Sequence, residues 1–347
     1  MHSATMEAEC TSGIVAVLDH STEDRVSMGI ALIVHGGAGA MSRDRFDDAR
    51  EGCREAALAG WQILLQGGSA LDAVQTAIIV LENNPSFNAG TGAVLTQDGR
   101  AELDAGLMDG NSLDVGAIAG VQRIKNPIVL ARSVLCSPHA LLMGTGAEDF
   151  ATHVGMTLAD PSELITAAQR ARWQRGYSAG DDVNIAARPG GTHRGKQTRT
   201  GSHGGLVHAD GHKHGTVGAV AIDSQGRTAA GASTGGIAAK HPGRIGDTPL
   251  PGCGFYAEDG LGGVASTGHG EDFIRLLLAR RALDFIAAGH SAQASATAAI
   301  RLLDSRVHGS GGLILLDGEG RVGYARNTPT MAHAFIREGM PSVQAGV

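Results

Sequence analysis

The stretch His214-Gly215-Thr216-Val217-Gly218-Ala219-Val220-Ala221-Ile222-Asp223 sets a threonine directly behind a glycine at the head of an apolar run. Cleavage of the Gly215–Thr216 bond would give Thr216 a free α-amine beside its own hydroxyl, a nucleophile and a base on one residue. The same letters also describe an ordinary junction of linker and strand, with a β-branched residue where strands favour one. The rest of the chain has to separate the two readings.

Upstream, from Arg175 to Gly215, hydrophobic periodicity vanishes and Gly, Thr, His, Arg and Lys dominate, as in Gly190-Gly191-Thr192-His193-Arg194-Gly195-Lys196. This reads as a flexible linker, about 177–215, that would leave Thr216 accessible and swing away after cleavage. His203, His208, His212 and His214 could be metal ligands, but no cysteine accompanies them and nothing preorganises their backbone, so a solvated linker is the reading. Downstream, Val217–Ile222 turns at Asp223–Gly226 into Arg227–Ala232, a hairpin pattern of two apolar strands around an Asp/Gly turn. The pattern recurs twice: Gly312–Leu316 turns at Asp317–Gly320 into Arg321–Tyr324, and Ala93–Thr96 turns at Gln97-Asp98-Gly99 into Arg100–Leu103. Such hairpins imply mainly antiparallel sheets.

Ile30-Ala31-Leu32-Ile33-Val34 reads as a buried strand ending in the glycine turn His35-Gly36-Gly37-Ala38-Gly39. Ala49, Cys53, Ala56, Ala57, Trp61, Leu64 and Leu65 recur at helical spacing between Phe46 and Gln66, and Gly67-Gly68 supplies the stop. Ser69 then caps a helix from Ala70 to Glu82, with Asp72 in a near capping box. Further helical patterns occupy Pro138–Phe150, Pro161–Gly176, Gly270–Ala288 and Ser291–Val307. Strands and helices come in blocks rather than strict alternation, and the helices suffice to cover both outer faces of two packed sheets. The expected fold class is α+β, a four-layer αββα sandwich. Residues 1–28 are weakly patterned and read as an extension before a single domain, 29–347.

Composition narrows the function. The 42% hydrophobic residues suffice for a large core, but aromatics are only 3%, so Ala, Leu, Val and Ile must build it. Glycine, at 52 residues, is about double its usual share and not periodic, which excludes collagen and suits tight turns around a site. With 28 Lys and Arg against 35 Asp and Glu, the formal charge is −7, and no basic cluster carries interleaved aromatics. Nucleic acid and anionic membrane are therefore not expected partners. Cys10, Cys53, Cys136 and Cys253 form no CxxC pair, the first ten residues lack a signal-peptide pattern, and no segment approaches the ~20 apolar residues of a membrane helix. A cytoplasmic protein is expected.

Five segments in order then carry a resemblance. His35-Gly36-Gly37-Ala38-Gly39, Phe87-Asn88-Ala89-Gly90-Thr91-Gly92, Gly215-Thr216, Ser233-Thr234-Gly235-Gly236 with Pro242-Gly243-Arg244-Ile245-Gly246-Asp247, and Ser266-Thr267-Gly268-His269-Gly270-Glu271 resemble the plant-type asparaginases, also called isoaspartyl peptidases, over about residues 30 to 330. The resemblance implies an N-terminal nucleophile (Ntn) hydrolase, split between Gly215 and Thr216 into chains 1–215 and 216–347 that assemble as (αβ)₂. It implies Thr216 as nucleophile, Thr234 as the hydroxyl that orients it, Arg244 and Asp247 as binders of the substrate α-carboxylate and α-ammonium, and Thr267 with Gly268 as the oxyanion hole. A guanidinium fork suits a carboxylate and a nearby carboxylate suits an ammonium, although Arg244 and Asp247 could also form a loop salt bridge. Asn88 is either a catalytic neighbour or a turn asparagine before glycine. His269 is placed in the specificity neighbourhood rather than as a base. The loop Leu81 to Thr91 resembles one that wraps a structural sodium with the carbonyls of Leu81, Glu82, Asn84, Phe87, Ala89 and Thr91, oxygen ligands that suit a hard cation.

The expected activity is hydrolysis of β-aspartyl (isoaspartyl) peptides and of the side-chain amide of L-asparagine, with no cofactor in the chemistry. A glycosylasparaginase of the same fold is the alternative, although the only tryptophans, Trp61 and Trp173, lie in helical patterns away from the first glycine turn. A non-enzymatic glycine-rich or His-rich binding protein is the alternative from another class.

Overall fold

A computed structural model describes residues 29–176 and 215–347. The expectations for the extension, the linker and its four histidines lie outside the described residues. In chain order the first segment carries β1 (Ala31–Gly39), α1 (Phe46–Leu65), α2 (Ala70–Asn83), β2 (Leu103–Asp109), β3 (Val115–Val121), α3 (Pro127–Leu135), β4 (Leu141–Met143), α4 (Gly144–His153) and α5 (Ala167–Gln174). The second carries β5 (Val217–Ile222), β6 (Thr228–Thr234), β7 (Phe255–Glu258), β8 (Gly262–Gly268), α6 (Gly270–Leu276), α7 (Leu278–Ala287) and α8 (Ala292–Val307). It ends with β9 (Gly311–Asp317), β10 (Val322–Arg326), β11 (Thr330–Arg337) and β12 (Gln344–Gly346).

Alternation along these strands builds two sheets with apolar groups on both faces. The larger has the order β12-β11-β1-β5-β6-β2-β3-β4, antiparallel except for the β3–β4 pair, and the smaller has the order β10-β9-β8-β7. On β1, Leu32 and Val34 face α1 and α2, while Ala31 and Ile33 face the second sheet and meet Val220, Ala265 and Ile314. Beyond the smaller sheet, Val264, Leu313 and Leu315 pack on Phe273, Leu278, Leu283, Ala296 and Leu303 of the helices α6 to α8. Three apolar layers thus lie between four structural layers, and the αββα sandwich expected from the sequence is the architecture found. Among the described residues no helix is long and apolar enough to cross a membrane.

Local expectations hold where the bonding is local. Asp223 accepts from the Gln225 and Arg227 backbone N–H groups and pairs with the Arg227 guanidinium, and Asp317 does the same with Glu319 and Arg321, closing the hairpins β5–β6 and β9–β10. Ser69 caps α2 by accepting the Asp72 N–H. Five expectations are corrected. The hairpin from Ala93 to Leu103 does not form: Asp98-Gly99 does turn, but the Val94 N–H goes to Asn88, the Leu95 carbonyl accepts the Ala239 N–H, and the Gln97 N–H goes to the Lys240 carbonyl. The first strand does not stop at Val34 but runs to Gly39 across a register shift between His35 and Ala38. The helix expected at Pro138–Phe150 starts only at Gly144, since Leu141–Met143 pairs with β3, and that at Pro161–Gly176 is a 3-10 turn followed by α5.

The fifth correction breaks Gly270–Ala288 into α6 and α7 at Leu277, whose φ of 53° is left-handed and whose side chain is largely exposed. A left-handed conformation costs an L-residue roughly 1–2 kcal/mol, and little burial is lost with this side chain. Leu277→Gly is expected to raise the thermal midpoint, by a stabilisation of about 1 kcal/mol. A lowered midpoint in a melting experiment would contradict this account of the break.

Candidate active site

The antiparallel registers bring the expected site residues to one end of the sandwich. His35 on β1 lies opposite Gly218 on β5, and Val217 lies opposite Ser233 on β6, so the start of β5 meets the glycine-rich end of β1 and Thr234 at the end of β6. From the second sheet, the end of β8 contributes Thr267 and Gly268. One bond ties the two sheets here: the Ala38 N–H donates to Thr267 Oγ1 at 3.1 Å.

A small cavity opens at this place, lined by Gly215, Thr216, Thr234, Gly236, Ile237, Arg244, Gly246, Asp247, Thr248, Gly268 and Gly270. Thr216 is buried, and its hydroxyl donates to Thr234 Oγ1 at 3.2 Å, which also receives the Gly236 N–H at 3.0 Å. The third hydroxyl, Thr267, accepts from Ala38, so its own proton remains available for a group bound in front of it. His35 is fully buried beside Gly218 and the Thr216 backbone, and burial pushes its pKa down to about 3, so its ring is neutral.

Asp247 has the most telling environment. It is buried, and among the described residues its Oδ2 has no hydrogen-bond partner. Burial raises its carboxyl to about 7, against the pull of nearby Arg244 and with the push of Glu271 and Asp104. Gly270 makes room for it, since a Cβ there would lie 2.9 Å from Asp247 Oδ1 and from its backbone nitrogen. An unpaired buried carboxylate is costly, and a cation arriving in the cavity relieves that cost.

Arg244 stands beside it but is engaged. Its Nε and Nη2 donate to Glu271 Oε1 and Oε2 at 3.0 and 2.7 Å, a bidentate pair. Burial alone would raise the Glu271 carboxyl, yet the bonds and charge of Arg244 outweigh it and hold it at about 2. Any carboxylate that reached Arg244 would therefore have to approach the remaining Nη1 side or displace Glu271. His269 lies next to the pair, with Nε2 3.3 Å from Glu271 and Nδ1 3.0 Å from Asp272.

Asn88 packs against Gly215, Gly235 and Gly236 with both ends of its amide committed. Nδ2 donates to the Gly236 carbonyl at 2.6 Å, Oδ1 accepts the Val94 N–H, and its backbone carbonyl accepts the Gly235 N–H. Its Cβ lies 3.0 Å from where a Gly215 side chain would start, so it packs directly against the bond before Thr216. Thr248 and Glu271 are the participants the sequence reading did not single out. Both sit in quoted neighbourhoods, one directly after Asp247 and the other at the end of the Ser266–Glu271 segment.

Two stacked sheets between helical layers, with a threonine at the head of a central strand and hydroxyls converging on it, define the architecture of an Ntn hydrolase. The chain belongs to the family whose model is described as Asparaginase, which matches residues 28–344. It is 44% identical to a plant-type L-asparaginase of Pyrococcus abyssi over 323 residues, 92% of this chain and all of that protein. It is also 40% identical to an isoaspartyl peptidase/L-asparaginase of Bos taurus over 90% of this chain and 94% of that protein, and 38% identical to one of Mus musculus over 97% and 96%.

The raised pKa of Asp247 makes a signed prediction. An ordinary aspartate ionises near pH 4, so between there and about 7 the folded protein holds a proton that the unfolded chain has lost. The destabilisation is absent below about pH 4 and complete above about pH 7. Without substrate, Asp247→Asn is therefore expected to melt higher than the parent at pH 8, with a gap that closes toward pH 4. A gap independent of pH would contradict the assigned environment.

Proposed function

We propose that this chain is an autoproteolytically activated threonine hydrolase that cleaves β-aspartyl (isoaspartyl) peptides and the side-chain amide of L-asparagine through a β-aspartyl ester on Thr216. The observation that carries the reading is the unpaired Asp247 carboxylate beside Arg244 in the cavity that Thr216 lines. Together these groups match a free amino-acid head held next to a nucleophile. The names of the relatives point to the same two substrates. The non-enzymatic alternative falls away with the family.

Maturation starts when the Thr216 hydroxyl attacks the Gly215 carbonyl. An N-to-O acyl shift gives an ester, and water resolves it into 1–215 and 216–347. The new α-amine, ordinarily with a pKa of about 8, takes the hydroxyl proton when Thr216 attacks the substrate β-carbonyl. Thr267 and the Gly268 N–H would then meet the oxyanion, a type of interaction worth ~3 kcal/mol of barrier. The amine product leaves with the proton, and water releases aspartate.

The sodium reading also belongs here. The Phe87 and Pro85 carbonyls lie 2.0 and 2.8 Å from where a Cβ on Gly92 would sit, and the Glu82 carbonyl 2.5 Å from one on Gly90, so the loop turns backbone oxygens inward. Leu81, Glu82, Asn84, Phe87, Ala89 and Thr91 would hold the ion by their carbonyls and so fix the loop that carries Asn88. The reading carries with it an (αβ)₂ assembly and a cytoplasmic setting, the latter resting on the cysteine pattern.

The test is kcat/KM for β-aspartyl-leucine, L-asparagine and α-aspartyl-leucine under one set of conditions. The β-linked dipeptide is expected to be the best substrate, because its second residue adds contacts that ammonia cannot, and L-asparagine the next. The α-linked peptide is expected to be inert, since its α-carboxylate is consumed in the peptide bond, and Arg244→Ala should lower turnover of the first two. Substantial hydrolysis of the α-linked peptide would overturn the model.

A further inference from the structure

The Thr216 hydroxyl has two hydroxyl neighbours. Besides Thr234, Thr248 places its Oγ1 3.5 Å from Thr216 Oγ1, a contact in which either oxygen can be the donor. The bonding on the other side decides the direction. Thr234 Oγ1 already receives the Gly236 N–H and the Thr216 hydroxyl, which fills both of its lone pairs. With the Thr216 proton spent on Thr234, the contact to Thr248 requires Thr248 to donate.

Nothing else claims that proton. Thr216 is the one hydrogen-bond partner of the Thr248 hydroxyl among the described residues, and at 1% exposure Thr248 meets no bulk water. It nevertheless lines the cavity. Its backbone is held from behind, since a Cβ on Gly254 would lie 2.8 Å from Thr248 Cα, and from the front by the turn in which the Leu250 N–H donates to the Asp247 carbonyl.

We propose that Thr248 is a second catalytic hydroxyl, a donor to the Thr216 oxygen whenever that oxygen carries negative charge, whereas Thr234 accepts from Thr216 only while Thr216 holds its proton. The proposal rests on the reading of Thr216 as nucleophile. In acylation the Thr216 Oγ–carbon bond forms, the hydroxyl proton passes to the α-amine, and the carbon–nitrogen bond breaks as that proton leaves with the amine. In deacylation water adds to the ester carbon, the Oγ–carbon bond breaks, and a water proton returns through the α-amine to Oγ. Thr248 transfers no proton in either half; it hydrogen-bonds the oxygen while it attacks and again while it departs. A separation of 3.5 Å is long for a neutral pair, and charge on the acceptor shortens and strengthens such a bond.

The experiment compares Thr248→Val, which keeps the shape, with Thr248→Ser, which keeps the hydroxyl, using β-aspartyl-leucine and normalising to the processed fraction. For Thr248→Val we expect kcat to fall about tenfold or more with KM nearly unchanged, as for loss of one bond to a charged acceptor, and slower splitting at Gly215–Thr216. Thr248→Ser should restore kcat and splitting. A valine variant that never splits while the serine variant does also supports the proposal, since the same oxygen attacks in maturation. Parent-like kcat in Thr248→Val, or equal losses in both variants, overturns it. If the valine variant does not fold, Thr248→Ala against Thr248→Ser decides by the same criterion. Failure of the underlying reading looks different, because Thr216→Ala would then keep the parent's turnover.

Discussion

The site depends on β5 being hydrogen-bonded on both sides. Its register with β1 sets Ile33 against Val220 and His35 against Gly218, and its register with β6 sets Val217 against Ser233. Thr216 directly precedes this doubly paired strand, so its oxygen is held against Thr234 and Thr248 rather than turned to solvent. The Ala38–Thr267 bond then fixes the second sheet against the first at the same point. A loop-borne nucleophile would need a separate device for each of these alignments.

Electrostatics below the cavity are arranged around burial. Lys240 is buried and donates to the Glu102 carbonyl at 2.8 Å, while the Glu102 carboxylate accepts the Gly243 N–H, so the loop from Thr234 to Asp247 is tied down by charged groups. Burial lowers the Lys240 pKa against the opposing pull of Asp104 and Glu102, and it raises that of Asp104. Arg244 is held by Glu271, and Asp247 is left without a cation. On the proposed reading, a ligand's ammonium would meet Asp247 and its carboxylate would take the remaining Nη1 side of Arg244 or compete with Glu271.

Much of this was legible in the sequence because the deciding signals are local. The Asp-x-x-Gly turns of β5–β6 and β9–β10 close through their own side chains, and the glycine-flanked motifs bracket the strand ends that form the site. What stayed hidden is held by distant partners. The stretch from Ala93 to Leu95 looks like half a hairpin, but its backbone is claimed by Asn88 and Ala239. The helix α3 went unmarked although Pro127 opens it and Ile128, Ala131 and Val134 recur at helical spacing; its nine residues are a short run, and its Ile128 N–H is satisfied by Glu82 of α2, 46 positions away. Thr248 and Glu271 acquire meaning only from the atoms opposite them, which no spacing reveals.

The central claim is that Thr216 becomes the N-terminal residue of a new chain by its own chemistry. Intact mass and N-terminal sequencing of the purified protein after incubation test it most directly, alongside Thr216→Ala. The account requires the parent to split into two pieces, the smaller beginning at Thr216, and the alanine variant to remain a single chain. A parent that never splits, or an alanine variant that splits at the same bond, would contradict it.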